Sequence, residues 1–131
     1  MEKNNGYPDM LITLSTGKQD RGTRATLAFS WGCAALAMGQ KVAMFMTMDG
    51  TVWASKNSMK GVEVGGFEPL TDYLEQFFAL GGELLVCAPC TEYYCAFDDE
   101  KIKMTMLEEA KLTGLATIVS KTGPKTKVIS F

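Results

Sequence analysis

Short apolar runs alternate along this chain with longer segments in which apolar positions recur every three or four residues. The first run, "DMLITLST" (residues 9–16), is rich in β-compatible residues and is bounded by Pro8 and Gly17, which predicts a strand. A polar turn, "GKQDRG", leads to Thr23, read as the N-cap of the Ala- and Leu-rich helix "RATLAFSWGCAALAMG", which Gly39 closes. The next run, "KVAMFMTM" (residues 41–48), is almost wholly apolar without alternation. It predicts a strand covered on both faces, with Met44, Met46 and Met48 in the core. Asp49-Gly50 signals a turn, and a polar loop extends to Gly66.

Glu68-Pro69 opens a second helix, in which Leu70, Tyr73, Leu74 and Phe77 share one face and which Gly81-Gly82 stop. "ELLVC" is a third strand and "TEYYCAF" a short helix. "DDEKIKMTMLEE" reads equally as helix or as loop followed by strand. A fourth strand falls at "AKLTG", a last helix at "GLATIVSK" before Gly123-Pro124, and a terminal strand at "KVISF". Strand and helix alternate, so the expected architecture is an α/β sandwich of right-handed crossover units on a mostly parallel sheet. In such sheets sites form at the carboxyl ends of the strands, here Ser15 to Gly22, Asp49 to Lys56 and Cys87 to Cys90.

The 131 residues fit one domain, 1–131, with 47% apolar and 21% charged residues. A net charge of −2 argues against a nucleic-acid surface, which needs a basic excess. No apolar run approaches a membrane span, and the polar "MEKNNGYPDM" lacks the apolar centre of a signal peptide, so a cytoplasmic location is expected. In that reducing compartment the four cysteines favour catalysis or metal binding over structural disulfides. The chain has no histidine, which removes Ser-His and Cys-His nucleophile pairs and all His-containing zinc sets.

Three of the cysteines lie in "ELLVCAPCTEYYC". A cysteine that ends a strand and enters a helix sits beside unpaired backbone N–H groups, which favour the thiolate. Cys87 or Cys90 at that place can attack a disulfide or accept a sulfane sulfur, and the two-residue spacing lets the second thiol resolve a bond made by the first. A thioredoxin-type pair would need more chain after it than Thr91 to Phe131 supplies. Zinc asks for a second pair, whereas only Cys95 and the distant Cys33 remain, so no metal or other cofactor is expected. The plain alternative for every cysteine, most of all for Cys33, is a small apolar core residue.

"STGKQDRGT" resembles a phosphate loop, but Ile12 stands where a Walker A motif needs glycine and Gln19 where it needs Ser or Thr. It is not read as a nucleotide site. Thr16, Gly17, Lys18 and Arg21, with Arg24 nearby, are instead candidates for an anion-stabilising loop over the thiolate, or simply a solvated loop. Asp49 is read as a turn former.

The order of "LITLST" with its loop and Ala-rich helix, "VAMFMTMDG", "GGELLVCAPC" and "AKLTGLATIVSK…KVISF" resembles the DsrE/DsrF-like family of sulfur-relay proteins over almost the whole chain. That resemblance implies a three-layer α/β/α sandwich on five parallel strands, assembled as homo-trimers or hexamers. It also implies persulfide sulfur passed between donor and acceptor proteins, in sulfur oxidation or tRNA thio-modification, with Cys87 at the position of the sulfur-bearing cysteine. Cys90 and "TEYYC" depart from the commonest pattern and add the option of disulfide chemistry; members without the cysteine imply a scaffold role. The leading expectation is a sulfur carrier in which Cys87 holds the sulfur, Cys90 resolves or protects it, and the Lys18/Arg21 loop stabilises the anion. The alternatives are a thiol–disulfide or peroxide-reducing enzyme on the same pair, and a non-catalytic binding or assembly subunit.

Overall fold

The computed structural model describes residues 6–94 and 105–131. Cys95, the end of "TEYYCAF" and most of "DDEKIKMTMLEE" lie outside the described residues. The elements run β1 (Met10–Leu14), α1 (Thr23–Ala37), β2 (Val42–Met46), α2 (Leu70–Ala79), β3 (Glu83–Cys87), α3 (Ala88–Tyr94), β4 (Ala110–Thr113), α4 (Leu115–Lys121) and β5 (Lys127–Ser130). The five strands form one sheet in the order β4-β3-β2-β1-β5, and every pairing is parallel.

That order explains the layers. The chain steps from β1 through β2 and β3 to β4 in one direction, then returns to the far side of β1 for β5. Right-handed crossovers therefore send α1 and α2 to one face and α4 to the other. The alternation of side chains along each strand feeds two separate cores. Ile12, Leu14, Met44, Met46, Leu84 and Val86 pack with Phe29 of α1 and Phe77 of α2. Leu11, Ala43, Phe45, Leu85 and Cys87 face the other way, onto Ile118 of α4 and Cys90 of α3. β2, central and covered on both sides, is buried at all five positions, as its unbroken apolar run requires.

The α1/α2 core is tightly built. Phe29 and Phe77 meet edge to face with ring centroids 5.5 Å apart. Gly32 lets α1 approach: a Cβ there would lie 3.2 Å from the Phe77 ring and 3.3 Å from the Ile12 side chain. Cys33 is buried beside it, and its thiol donates to the Tyr73 carbonyl oxygen at 3.3 Å.

Three local expectations are corrected. Thr23 is the first residue of α1 and does not cap it. Gly22, at φ 85°, is the N-cap, and the chain turns there so that the Asp20 carboxylate accepts from the Gly22 and Arg24 amides at 3.1 and 2.9 Å. Met48 does not belong to the buried strand. β2 ends at Met46, and Met48 is 48% exposed with a φ of 52°. The segment after β2 is not simply a polar loop either. Met48–Ala54 coils into 3-10 turns, and Trp53, Ala54 and Met59 are buried against the α1/α2 core. The physical reason is the Trp53 indole: its N–H donates to the Thr16 carbonyl oxygen at 2.9 Å, which lets the ring sink inward.

Candidate functional site

The carboxyl ends of β2 and β3 are adjacent, because Met46 pairs with Val86 one residue before each strand gives way to its turn. On the β3 side Cys87 is the last strand residue and α3 begins at Ala88. Cys87 thus stands where an N-cap stands, and its sulfur accepts a hydrogen bond from the Cys90 backbone N–H. That is the reach of a capping side chain to the third helical residue, so the C-x-x-C spacing is here also a helix-capping spacing. Pro89 fits the first turn because the N–H it lacks has no partner in a helix's first turn anyway. Thr91 closes the turn by donating its hydroxyl to the Ala88 carbonyl oxygen at 2.7 Å.

On the β2 side the chain is pinned over β1. The Thr47 amide donates to the Leu14 carbonyl oxygen at 3.0 Å and the Gly50 amide to the Thr47 carbonyl oxygen at 3.0 Å. Gly50 packs so closely on Leu14 that a Cβ would be driven into the Leu14 carbonyl. The sequence signal "DG" thus marks a backbone approach that only glycine allows. Held this way, the Thr47 hydroxyl oxygen lies 3.5 Å from Cys90 Sγ.

Both thiols are free and buried. They are not equivalent. Burial pushes the Cys87 thiol up, and its hydrogen bond to Cys90 adds to that, against the opposing pull of the Cys90 amide and Thr47. Burial also acts to raise Cys90, but hydrogen bonds from Cys87, the Thr47 hydroxyl and the Met48 backbone outweigh it and hold Cys90 below the ordinary thiol value. Three hydrogen-bonding groups converge on one sulfur.

The proposed anion loop packs against the Met48–Ala54 turn. Gly17 packs on Asp49, where a Cβ would come 2.8 Å from the Asp49 carbonyl oxygen, and Gln19 donates to the Asp49 carboxylate at 3.2 Å. Thr16 holds the Trp53 indole through its carbonyl oxygen. The Lys18 ammonium lies 5.7 Å from the centroid of the Trp53 ring, and Arg21 is exposed with φ 62°. The structure therefore brings Cys87 and Cys90 together, while Thr16, Gly17, Lys18 and Arg21 flank the turn that carries their partners. Sequence reasoning missed Thr47 and the Met48 amide. Their signal was present: once β2 is the neighbour of β3, a hydroxyl one residue past the apolar run of β2 must face the residues following β3. Among the described residues no group of three or more Cys, Asp or Glu is placed to hold a metal ion.

The fold and the paired thiols define a parallel α/β sandwich with a two-cysteine centre at its strand ends. The sequence profile of the DsrE/DsrF-like family matches residues 10–131, and the chain belongs to that family. Among the solved structures that share the fold are the following two. The YchN protein of E. coli is 13% identical, with a TM-score of 0.66, covering 93% of this chain and 97% of its own. A conserved protein of unknown function, BT1422 from Bacteroides thetaiotaomicron, is 12% identical, with a TM-score of 0.57, covering 94% of this chain and 95% of its own. No curated protein matches the chain.

Proposed function

We propose that this chain is a sulfur carrier: it accepts sulfane sulfur as a persulfide on the Cys87–Cys90 pair and passes it to a partner protein. Membership in a family of sulfur-relay proteins supports the reaction class. The observation that carries the site is the convergence of Cys87, the Thr47 hydroxyl and the Met48 backbone on Cys90 at the carboxyl edge of the sheet. A thiolate stabilised by neutral donors is a nucleophile whose charge remains available for attack on a sulfane sulfur. Incubation with thiosulfate or a low-molecular-weight persulfide should add sulfur, reversibly by reductant, to the wild-type protein. The double variant Cys87→Ser/Cys90→Ser should show no such gain, and equal uptake by both proteins would refute the assignment.

The hydrogen bond between the two thiols also favours a second reading, a thiol–disulfide or peroxide-reducing enzyme. It requires a Cys87–Cys90 disulfide that turns over with an electron donor and no sulfur donor. We place the carrier in the cytoplasm, where its thiols stay reduced. Among the described residues no helix is long and apolar enough to cross a membrane. We further propose a homo-oligomer, a trimer or hexamer. Its support in the structure is the exposure of Leu115 and Val119 on α4 and of Val128 on β5, at 64%, 73% and 52%. Sedimentation of a monomer at micromolar concentration would exclude it.

A further inference from the structure

The resemblance gives the sulfur to Cys87 and the resolving role to Cys90; the geometry points to the reverse. We infer that Cys90 is the loading thiol, Cys87 is the internal thiol that discharges it as hydrosulfide, and Thr47 is the residue that positions Cys90. This rests on the carrier reading and deepens it.

Two observations support the order. Cys90 is the more accessible residue of the pair, at 9% exposure against 3% for Cys87. The Thr47 hydroxyl oxygen is fixed 3.5 Å from Cys90 Sγ and the Met48 backbone hydrogen-bonds the same sulfur, whereas Cys87 is held at the sheet end by its capping bond to the Cys90 amide.

Loading then balances as a single displacement. The Cys90 thiolate attacks the outer sulfur of a persulfide R–S–S–H, the donor's S–S bond breaks, and the products are the Cys90 persulfide and the thiolate R–S⁻. From thiosulfate the same attack expels sulfite. The loaded sulfur has two exits. An acceptor thiolate takes the outer sulfur and restores the Cys90 thiolate. Without an acceptor, Cys87 attacks the inner sulfur. The Cys87–Cys90 bond forms and the inner–outer S–S bond breaks. The Cys87 proton leaves with the sulfane sulfur as hydrogen sulfide, so two thiol sulfurs are oxidised and one sulfane sulfur is reduced. The disulfide that remains blocks reloading until an external dithiol reduces it. The pair thus makes the persulfide short-lived unless a partner is docked.

The test is intact-protein mass over time after addition of a low-molecular-weight persulfide to wild type, Cys87→Ser and Cys90→Ser, with sulfide measured in parallel. Cys87→Ser should gain one sulfur atom and keep it, with no sulfide released. Cys90→Ser should not load. Wild type should load transiently, release sulfide, and end two hydrogens lighter. Loading in Cys90→Ser together with none in Cys87→Ser would overturn the order while leaving the carrier reading intact. No sulfur gain in any of the three proteins would overturn both. The positioning role of Thr47 is read from the pH profile of Cys90 alkylation, which needs no sulfur donor. Thr47→Val should shift its midpoint upward by about half to one pH unit, the worth of one hydrogen bond. Thr47→Ser should restore it. An unmoved midpoint in Thr47→Val would remove Thr47 from the site.

Discussion

Cys33 and Cys90 are both buried cysteines, yet the structure treats them in opposite ways. Cys33 lies in the seam between α1 and α2, where burial and the charge of Glu68 push its thiol up to about 11. It gives its one proton to the Tyr73 carbonyl oxygen and, as a neutral thiol, behaves as a small apolar side chain. Cys90 is desolvated too, but it lies in the first turn of α3 at the carboxyl end of the sheet, beside the Thr47 hydroxyl and the Met48 backbone. The hydrogen bonds it makes there outweigh burial. Desolvation alone yields an inert thiol; desolvation with convergent hydrogen bonds yields a thiol that ionises more readily.

The contrast should appear most strongly in reactivity. At neutral pH iodoacetamide should modify Cys90 about 100-fold or more faster than Cys33, since each unit of pKa difference is a tenfold difference in thiolate fraction. Peptide mapping gives the ratio, and comparable rates would erase the distinction. Next in size is Gly50→Ala, which drives a Cβ into the Leu14 carbonyl and so loosens the turn that holds Thr47 over Cys90. A loss of about 1–3 kcal/mol in denaturant unfolding is expected, with Cys90 alkylation slowed in the surviving folded protein. The same substitution at Gly39, where nothing lies near a Cβ but φ is 86°, should destabilise without touching Cys90 reactivity.

Cys33→Ala sharpens the comparison from the other side. Sulfur uptake should be unchanged and stability lower by roughly 1 kcal/mol. Its pH signature has a definite sign. A thiol whose folded pKa is raised from 9 to about 11 stays protonated in the fold while the unfolded chain has lost its proton. Stability contributed by Cys33 therefore falls as pH rises through that window. Cys33→Ala should flatten this part of the stability profile, and an unaltered slope would show that Cys33 ionises freely. The smallest effect is expected from Lys18→Met. Its ammonium sits over the Trp53 ring, a contact worth about 0.5–1 kcal/mol, so the melting temperature should fall slightly. Cys90 alkylation should change less than in Thr47→Val; a larger change would return the Lys18/Arg21 loop to the centre of anion stabilisation.

Much of the fold was legible because strand and helix runs differ in period. β2 announced itself as a doubly covered strand through "VAMFM", and β3 through "ELLVC" ending on a cysteine. The errors fell where the outcome depends on tertiary partners. Thr23 looked like a cap, but Gly22 at positive φ moved the cap back so that Asp20 supplies the acceptor. Trp53 and Met59 sat in a stretch that reads as polar loop, yet both are buried, the Trp53 indole with its N–H on the Thr16 carbonyl oxygen. Within the site, the cysteine pair was visible as a spacing, whereas Thr47 became visible only with the strand order. No local pattern says that β2 lies beside β3, and none says which of two cysteines receives the converging donors.

The most direct test of the carrier account is to locate sulfane sulfur in the wild-type protein. After brief exposure to a low-molecular-weight persulfide, trapping by alkylation and peptide mapping should find the added sulfur on the peptide bearing Cys87 and Cys90, concentrated on Cys90, with Cys33 unmodified. Sulfane sulfur on Cys33 to the same extent, or none on the Cys87–Cys90 peptide at any time, would contradict it.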